Sequence, residues 1–307
     1  MSEVPPSTDV AGPPGRRRAL ETVRAYVALT KPRVVELLLI TTVPSMILAQ
    51  NGFPDPWLVV AVLVGGSLAA GGANTINSWI ERDRDQLMRR TRNRPLVTGT
   101  IRPTSALVFG IVCNVVAFGL LWSVANLLAA CLTLTATLFY VFVYTVWLKP
   151  RTAQNIVIGG AAGAIPTLVG WAAVTGTVAA PAWVLFALVF FWTPPHFWAL
   201  ALRYRDDYAA ADFPMLPVTR GVERATREML AYSVVVVAVS LTLGLTTPVG
   251  PLYLAVAVVA GIGFVAGAVR LVGNPDPTRA IRYFTFSNLY LATLFVTVAL
   301  DVFVRRA

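Results

Sequence analysis

Apolar residues fill runs of about twenty positions along most of this chain, and short polar segments separate the runs. A run of this length crosses the hydrocarbon core of a bilayer when it folds as an α-helix. The predicted spans cover residues 33–50, 57–79, 104–122, 125–147, 154–174, 182–202, 229–247, 251–270 and 283–303. We therefore predict an all-α fold, a polytopic membrane protein with nine transmembrane helices.

The composition agrees with this prediction and excludes a water-soluble fold. Hydrophobic residues make up 56% of the 307 positions and charged residues only 13%, which is about half the charged share of a soluble domain. Residues 1–28 differ because Pro, Ser and Gly are frequent there, and we predict that they form a disordered cytoplasmic tail. The transmembrane domain would then cover residues 29–307.

Basic residues lie almost entirely on one side of the predicted membrane. Of the 25 Lys and Arg residues, 23 precede helix one or follow helices two, four, six and eight, which leaves Arg305 and Arg306 for the other side. The positive-inside rule then places the N-terminus in the cytoplasm and the C-terminus outside. The net charge of +10 thus reflects membrane topology, and we expect no nucleic-acid partner. Because Arg greatly outnumbers Lys, as in GC-rich bacterial genomes, we expect a bacterial cytoplasmic membrane.

A compact acidic motif stands at the cytoplasmic end of helix two. Asn77, Glu81 and Asp85 are spaced i, i+4 and i+8, so on a helix they lie along one face. Three oxygen donors in a row can hold Mg²⁺, which prefers carboxylates together with substrate phosphates and water; Mn²⁺ is the alternative ion. The arginine side chains from Arg89 to Arg94 can fold back toward an anion that is bound at this motif. The competing interpretation is a solvated helix end of mixed charge.

Further polar residues end helices four and six on the same side. Helix four closes with Tyr144 and Lys149, and helix six closes with His196 and the Arg203 to Asp207 segment. His196, the only histidine, follows Pro194-Pro195, which kinks helix six. Its imidazole is either a hydrogen-bonded core group or a contact to a metal-porphyrin. Topology thus predicts a site that opens toward the cytoplasm.

Two sets of motifs resemble a known family. Asn77-x3-Glu81-x3-Asp85, followed by Asn93-Arg94-Pro95-Leu96, is similar to the first acidic motif of the UbiA-type intramembrane prenyltransferases. Trp192-Thr-Pro-Pro-His-Phe-Trp198, with Thr30-Lys31-Pro32-Arg33, resembles the branch of that family that farnesylates heme. The likeness extends from about residue 28 to Asp301. It implies a nine-helix bundle around a central cavity, and transfer of the farnesyl group of farnesyl diphosphate to a vinyl group of heme b. Water addition then gives heme O and diphosphate.

The resemblance also implies roles for individual residues. The residues implied in catalysis are Asn77, Glu81, Asp85 and Lys149. The residues implied to bind the diphosphate are Arg90, Arg94, Lys149, Tyr144 and Arg203. His196 and Trp198 would lie on the heme side, and Asn77, Glu81, Asp85 and Asp207 would bind metal. Glu81 stands where many relatives have Asp, and the second motif, Arg203-x3-Asp207, keeps one carboxylate of a pair.

Two alternatives remain from sequence alone. A prenyltransferase of the same family could act on another aromatic or tetrapyrrole acceptor, although the Pro-Pro-His-Phe-Trp block would then be unexplained. A secondary transporter would need polar residues near the middle of the bilayer, whereas stretches such as 59–70 and 231–241 are apolar. For a heme farnesyltransferase we expect transfer of the product to a heme O-modifying enzyme or a terminal oxidase.

Overall fold

The computed structural model describes residues 14–306, without the side chains of residues 14–18, 33, 34 and 36–39. Every regular element in this range is helical. The helices are α1 (Pro14–Thr30), α2 (Pro32–Gln50), α3 (Pro56–Asp85), α4 (Pro103–Val124), α5 (Leu127–Leu138) with its continuation, the π-helix Phe139–Leu148, α6 (Asn155–Thr175), α7 (Ala180–Arg203), α8 (Arg205–Ala210), α9 (Leu216–Thr219), α10 (Val222–Thr246), α11 (Pro251–Gly273) and α12 (Pro277–Val304).

The predicted spans coincide with these helices. Within the described residues, eight segments are long and apolar enough to cross a membrane, with α5 and the π-helix Phe139–Leu148 forming one of them. The first predicted span falls on α2, whose residues 40–50 form a shorter apolar stretch. The all-α fold is confirmed, and the protein crosses the membrane several times.

The structure corrects the N-terminal prediction. Residues 14–28, assigned above to a disordered tail, form most of α1, while residues 1–13 lie outside the described part of the chain. The helix is ordered because Ala25 and Leu29, four residues apart, bury their side chains in one cluster with Leu96, Ile101 and Ala106. The proline-rich composition concealed this short apolar face.

Proline and short polar side chains determine where most of the helices begin. A proline occupies the first or second helical position of α2, α3, α4, α7, α11 and α12, where its missing N–H would have no helical partner. The carboxylate of Asp55 accepts from the N–H groups of Trp57 and Leu58 at 2.8 and 3.0 Å. Asp276 caps α12 in the same way. These caps satisfy backbone donors that lipid could not.

Small residues let α3 and α4 cross at close range. A methyl group at Gly72 would come within 2.6 Å of the carbonyl oxygen of Gly110, and one at Gly110 within 2.9 Å of the oxygen of Gly72. In a bilayer such close backbone contacts replace the hydrophobic drive that associates helices in water. On the other side of the bundle α7 packs between α6, α10 and α12, and α12 returns to α2. This arrangement brings the end of α3 and the end of the π-helix Phe139–Leu148 together with the α1–α2 junction.

Candidate active site

The acidic motif lies inside α3, which continues through Asp85 instead of ending near residue 79 as predicted. Asn77, Glu81 and Asp85 are exposed by only 2%, 6% and 1%. Because the helix is continuous, the three side chains follow one face as their spacing predicts. Two carboxylates at this degree of burial need compensating charges close by.

Two cations pair with the carboxylates, and a third donates a hydrogen bond to the amide of Asn77. The pairs are Asn77 with Lys31 (Oδ1 to Nζ, 2.8 Å), Glu81 with Lys149 (Oε1 to Nζ, 2.5 Å) and Asp85 with Arg94 (Oδ2 to Nη1, 2.6 Å). We call these six residues the ionic cluster. Its members come from the α1–α2 junction, α3, the loop after α3 and the end of the π-helix Phe139–Leu148, so the cluster connects four segments of the chain.

One oxygen of the ionic cluster has no partner among the described residues. Oδ1 of Asp85 is buried and accepts no hydrogen bond, although Oδ2 accepts from Arg94. A buried carboxylate oxygen without a donor is a position that a cation can fill. Together with Glu81 and the amide oxygen of Asn77 it forms a donor set of the kind that Mg²⁺ takes, so the residues present fit a single divalent ion.

Asp207 does not join this donor set. Within residues 14–306, no three or more His, Cys, Asp or Glu side chains are grouped so as to hold a metal ion. Asp207 lies in the short helix α8, where its charge acts on Arg90. Arg203 is exposed at the end of α7 and stacks on Tyr204, 5.6 Å from the ring centre. Both residues therefore lie apart from the ionic cluster.

The π-helix Phe139–Leu148 orients Lys149. The N–H of Lys149 donates to the carbonyl of Tyr144 at 2.8 Å, a bond that spans five residues. In an α-helix, at about 100° per residue, Lys149 would point away from Tyr140, nine residues earlier. Five-residue bonding instead brings Tyr140, Tyr144 and Lys149 toward the same side, and the two tyrosine rings stack with their centres 5.4 Å apart.

Thr145 connects the π-helix Phe139–Leu148 to the acidic motif. Its buried hydroxyl donates to the carbonyl of Tyr140 at 2.8 Å and accepts from Nδ2 of Asn77 at 3.2 Å. Holding Nδ2 in this way turns Oδ1 of Asn77 toward Lys31. Thr145 was not among the site residues predicted from the sequence, because its role depends on the π-helical register.

Lys31 is a second site residue outside the predicted set. It connects α1 and α2 with φ 52° and ψ 63°, a left-handed conformation unusual for lysine. Asn74 holds the preceding residue by donating from Nδ2 to the carbonyl of Thr30 at 3.2 Å. Burial and the guanidinium of Arg94 lower the pKa of Lys31 to about 7. A lysine immediately before the first apolar run was the available sequence signal.

Aromatic rings contact basic side chains in and around the ionic cluster. Phe213 lies beneath two cations, with Nζ of Lys149 4.7 Å and the guanidinium carbon of Arg84 5.0 Å from the ring centre. Arg90 donates to the hydroxyl of Tyr208 at 3.2 Å and stacks on its ring. Such contacts hold the long basic side chains in place without neutralising them.

An apolar cavity of about 340 Å³ lies below the ionic cluster, between α2, α3, α5, α6 and α7. Asn74, Tyr140 and Tyr144 line it together with many small residues, among them Gly159, Gly160 and Gly163. A methyl group at Gly163 would meet no heavy atom within 4 Å. Since Tyr144 also contacts Lys149, the cavity adjoins the charged site.

The predicted heme-side residues face away from this cavity. The ring of His196 is stacked between those of Trp192 and Phe284, with centres 4.1 and 4.3 Å away, and Nδ1 is 2.6 Å from the hydroxyl of Ser287. Trp198 is fully buried and meets Tyr232 of α10 edge-on. On the same helix, Thr193 and Phe197 line the cavity instead.

Comparison with known proteins decides the family. The sequence pattern of the UbiA prenyltransferase family matches residues 38–293. The chain belongs to this family. Among its relatives, a protoheme IX farnesyltransferase of Frankia alni is 56% identical over 288 residues, which are 92% of this chain and 99% of that one. One from Mycobacterium avium is 51% identical over 91% of each chain. Within the UbiA family the chain thus belongs with the protoheme IX farnesyltransferases, and it is an enzyme.

Two solved structures share the fold of this chain. A digeranylgeranylglyceryl phosphate synthase superposes with a TM-score of 0.76 at 17% identity, over 92% of this chain and 99% of its own. A UbiA homologue from Archaeoglobus fulgidus, bound to GPP and Mg²⁺, superposes with a TM-score of 0.64 at 19% identity, over 89% and 99%. At these identities the likeness concerns the UbiA fold alone, and it confirms the helical bundle.

Proposed function

We propose that this UbiA enzyme transfers the farnesyl group of farnesyl diphosphate to a vinyl group of heme b, and that water addition completes heme O with release of diphosphate. One observation carries the proposal: a buried ionic cluster adjoins an apolar cavity in a chain 56% identical to a protoheme IX farnesyltransferase. Charged groups beside an apolar chamber suit a substrate with a diphosphate head and an isoprenoid tail.

The ionic cluster would bind the diphosphate. Breaking the bond between the allylic carbon and the diphosphate oxygen leaves negative charge on the leaving group, and Lys149 and Arg94 are placed to stabilise it. We assign Asn77, Glu81 and Asp85 to a Mg²⁺ ion, with Mn²⁺ as a substitute; when bound, that ion would neutralise diphosphate charge. The UbiA homologue from Archaeoglobus fulgidus was solved with GPP and Mg²⁺, which supports a divalent ion here.

The cavity would hold the farnesyl tail and the reacting edge of the porphyrin. Its lining is almost entirely apolar, so it would keep water from an allylic cation until the vinyl group has reacted. Tyr144 would contact the diphosphate end, because its ring lies 5.7 Å from Nζ of Lys149. Arg90, Arg203 and Asp207 would then act at the cytoplasmic entrance, where the diphosphate arrives.

His196 and Trp198 would serve the heme side indirectly. Trp192 donates from Nε1 to the carbonyl of Ser287 at 2.9 Å, and His196 meets the hydroxyl of the same residue. These bonds fix α7 against α12 and so determine where Thr193 and Phe197 lie in the cavity. We propose that the porphyrin contacts Thr193 and Phe197.

We further propose that the enzyme lies in a bacterial cytoplasmic membrane, with its N-terminus in the cytoplasm and its C-terminus outside. The distribution of Lys and Arg supports this orientation. The active site would then open toward the cytoplasmic side. The apolar product would pass directly to a heme O-modifying enzyme or a terminal oxidase.

Pigment analysis tests the proposed function in cells. The chain is expressed in bacteria that lack heme O, and membrane hemes are separated and weighed by mass spectrometry. We expect a new heme heavier than heme b by one farnesyl group and one hydroxyl group, and none in cells that express Glu81→Gln. Membranes that hold the wild-type protein but only heme b would refute the proposal.

A further inference from the structure

A second pocket lies at the same end of the bundle as the ionic cluster, but outside it. Its volume is about 350 Å³, and it lies between residues 151–154, which lead into α6, and residues 214–228, which include α9 and the start of α10. None of its lining residues lines the apolar cavity or belongs to the ionic cluster. The polar and charged side chains of this arginine pocket are Arg151, Thr152, Gln154, Thr219, Arg220, Arg224 and Glu228.

Positive charge predominates in the arginine pocket. Three guanidinium groups line it together with a single carboxylate, which leaves two net positive charges. That carboxylate, Glu228, accepts from Nε of Arg224 at 2.8 Å. Among the described side chains, no carboxylate forms an ion pair with Arg151 or Arg220. An anion that enters the pocket would therefore meet two arginines that have no acidic partner.

Backbone contacts hold Arg151 in place. Its Nη1 donates to the carbonyls of Val146 and Trp147 at 2.8 and 3.0 Å, in the last turn of the π-helix Phe139–Leu148. These bonds use one nitrogen of the guanidinium and leave its other N–H groups free to donate. The side chain of Trp147 is 58% exposed, and exposed tryptophans of membrane proteins concentrate at the level of the lipid headgroups. Arg151 is thus fixed at that level.

An apolar surface continues from the arginine pocket into the membrane-spanning part of the bundle. Ile158 lies one turn after Gln154 along α6 and is exposed. Tyr232 lies one turn after Glu228 on α10 and is half-buried. The ring centre of Tyr232 is 6.3 Å from that of Phe191 on α7, the helix that packs between α6 and α10. Apolar side chains of three helices therefore follow directly below the charged pocket.

We propose that the arginine pocket binds the headgroup of an anionic phospholipid, whose acyl chains lie along Ile158 and Tyr232. Guanidinium groups bind phosphate oxygens through paired hydrogen bonds. Basic pockets between transmembrane helices suit headgroups such as that of cardiolipin, and its two phosphodiester charges match the two net positive charges here. The same guanidinium groups could bind free phosphate, but the apolar surface below them favours a lipid. The inference is independent of the proposed function, because no residue of the pocket is assigned to the reaction.

Native mass spectrometry of the purified full-length protein in detergent tests the proposal, with cardiolipin and phosphatidylcholine as the added lipids. The parent protein should bind cardiolipin more tightly than phosphatidylcholine, which has no net charge. We expect the affinity for cardiolipin to fall about fivefold or more in Arg220→Gln, since each basic residue near an anionic lipid contributes to binding. Glu228→Gln removes the only carboxylate of the pocket and should tighten binding. Arg227→Gln removes an exposed charge of the same helix that does not line the pocket, and it serves as the control.

Thermal unfolding gives a second measurement, because a ligand of the folded state raises the unfolding temperature. Cardiolipin should raise that temperature more in the parent protein and in Arg227→Gln than in Arg220→Gln. Equal affinity for cardiolipin in the parent protein and Arg220→Gln would overturn the proposal. Displacement of cardiolipin by inorganic phosphate would make the pocket a site for the free anion and would also overturn it. So would a loss of heme b binding in Arg220→Gln with cardiolipin binding unchanged, because the pocket would then hold the heme propionates.

Discussion

Lys149 and Tyr144 are joined by a backbone hydrogen bond of 2.8 Å that spans five residues instead of four. The extra residue in this turn directs the ammonium group of Lys149 to Glu81 while the ring of Tyr144 lines the cavity. A π-helix is rare and is frequently found at functional sites. Here it aligns the charged site with the apolar chamber.

Thr145→Val tests whether the π-helix Phe139–Leu148 positions Asn77. The substitution keeps the shape of the side chain but removes the hydroxyl that Asn77 and the Tyr140 carbonyl share. A lost partner for a buried polar group costs about 1–3 kcal/mol. We therefore expect the affinity of the protein for Mn²⁺, measured with the slowly ionising analogue farnesyl thiodiphosphate bound, to fall about tenfold or more. Thr145→Ser should bind Mn²⁺ like the parent. Equal affinities for Val and Ser would show that the hydroxyl has no positioning role.

Neutral substitutions of the two carboxylates test the metal assignment. Glu81→Gln and Asp85→Asn remove a negative ligand without changing its size, and we expect turnover to fall at least about 100-fold, since even outer-shell partners of a metal contribute 10- to 100-fold. Thermal unfolding should show that both variants remain folded. EDTA should stop the parent enzyme, and Mg²⁺ or Mn²⁺ should restore it. Full activity in metal-free membranes would exclude a metal-bound diphosphate.

Gly163→Val tests whether the cavity holds the prenyl tail. A side chain there enters open space, because nothing lies within 4 Å of the position of its Cβ, so folding should be unaffected. The added volume should raise KM for farnesyl diphosphate. KM for geranyl diphosphate, which is one isoprene unit shorter, should rise less. Gly119→Val, also in open space but away from the cavity, is the control. Parent-like KM for farnesyl diphosphate would place the tail elsewhere.

His196→Ala separates support of α7 from iron ligation. Because the imidazole is stacked on both faces and meets Ser287, we expect the free energy of unfolding to fall by about 1–3 kcal/mol. The Soret maximum of bound heme should stay in place. Ser287→Ala should lower stability in a similar way. A Soret shift that added imidazole reverses would instead make His196 an iron ligand.

Hydropathy predicted most of the fold, because transmembrane helices must be both long and apolar. It placed the end of α3 too early, because Glu81 and Asp85 are charged. Both are nevertheless buried in the helix, since each forms an ion pair, Glu81 with Lys149 and Asp85 with Arg94. It also missed α1, whose apolar face rests on few residues. Ion pairs between distant segments do not alter the local pattern that hydropathy measures.

The site residues that lie on one helix were predictable from the sequence. Those that come from other segments of the chain were less so. The helical spacing correctly placed Asn77, Glu81 and Asp85 on one face. Lys31 and Thr145 were missed because a left-handed junction and a π-helical register bring them to that face. The assignment of His196 to the heme side stays a prediction; on the same helix, Thr193 and Phe197 line the cavity.

The most direct test of the central claim is a reaction of the purified protein with heme b, farnesyl diphosphate and Mg²⁺ in water enriched in ¹⁸O, followed by mass spectrometry of the heme. We predict a product that contains the farnesyl group and one ¹⁸O atom, formed with an equal amount of diphosphate and absent with Glu81→Gln. Release of diphosphate with heme b unchanged, or a product without ¹⁸O, would contradict the account.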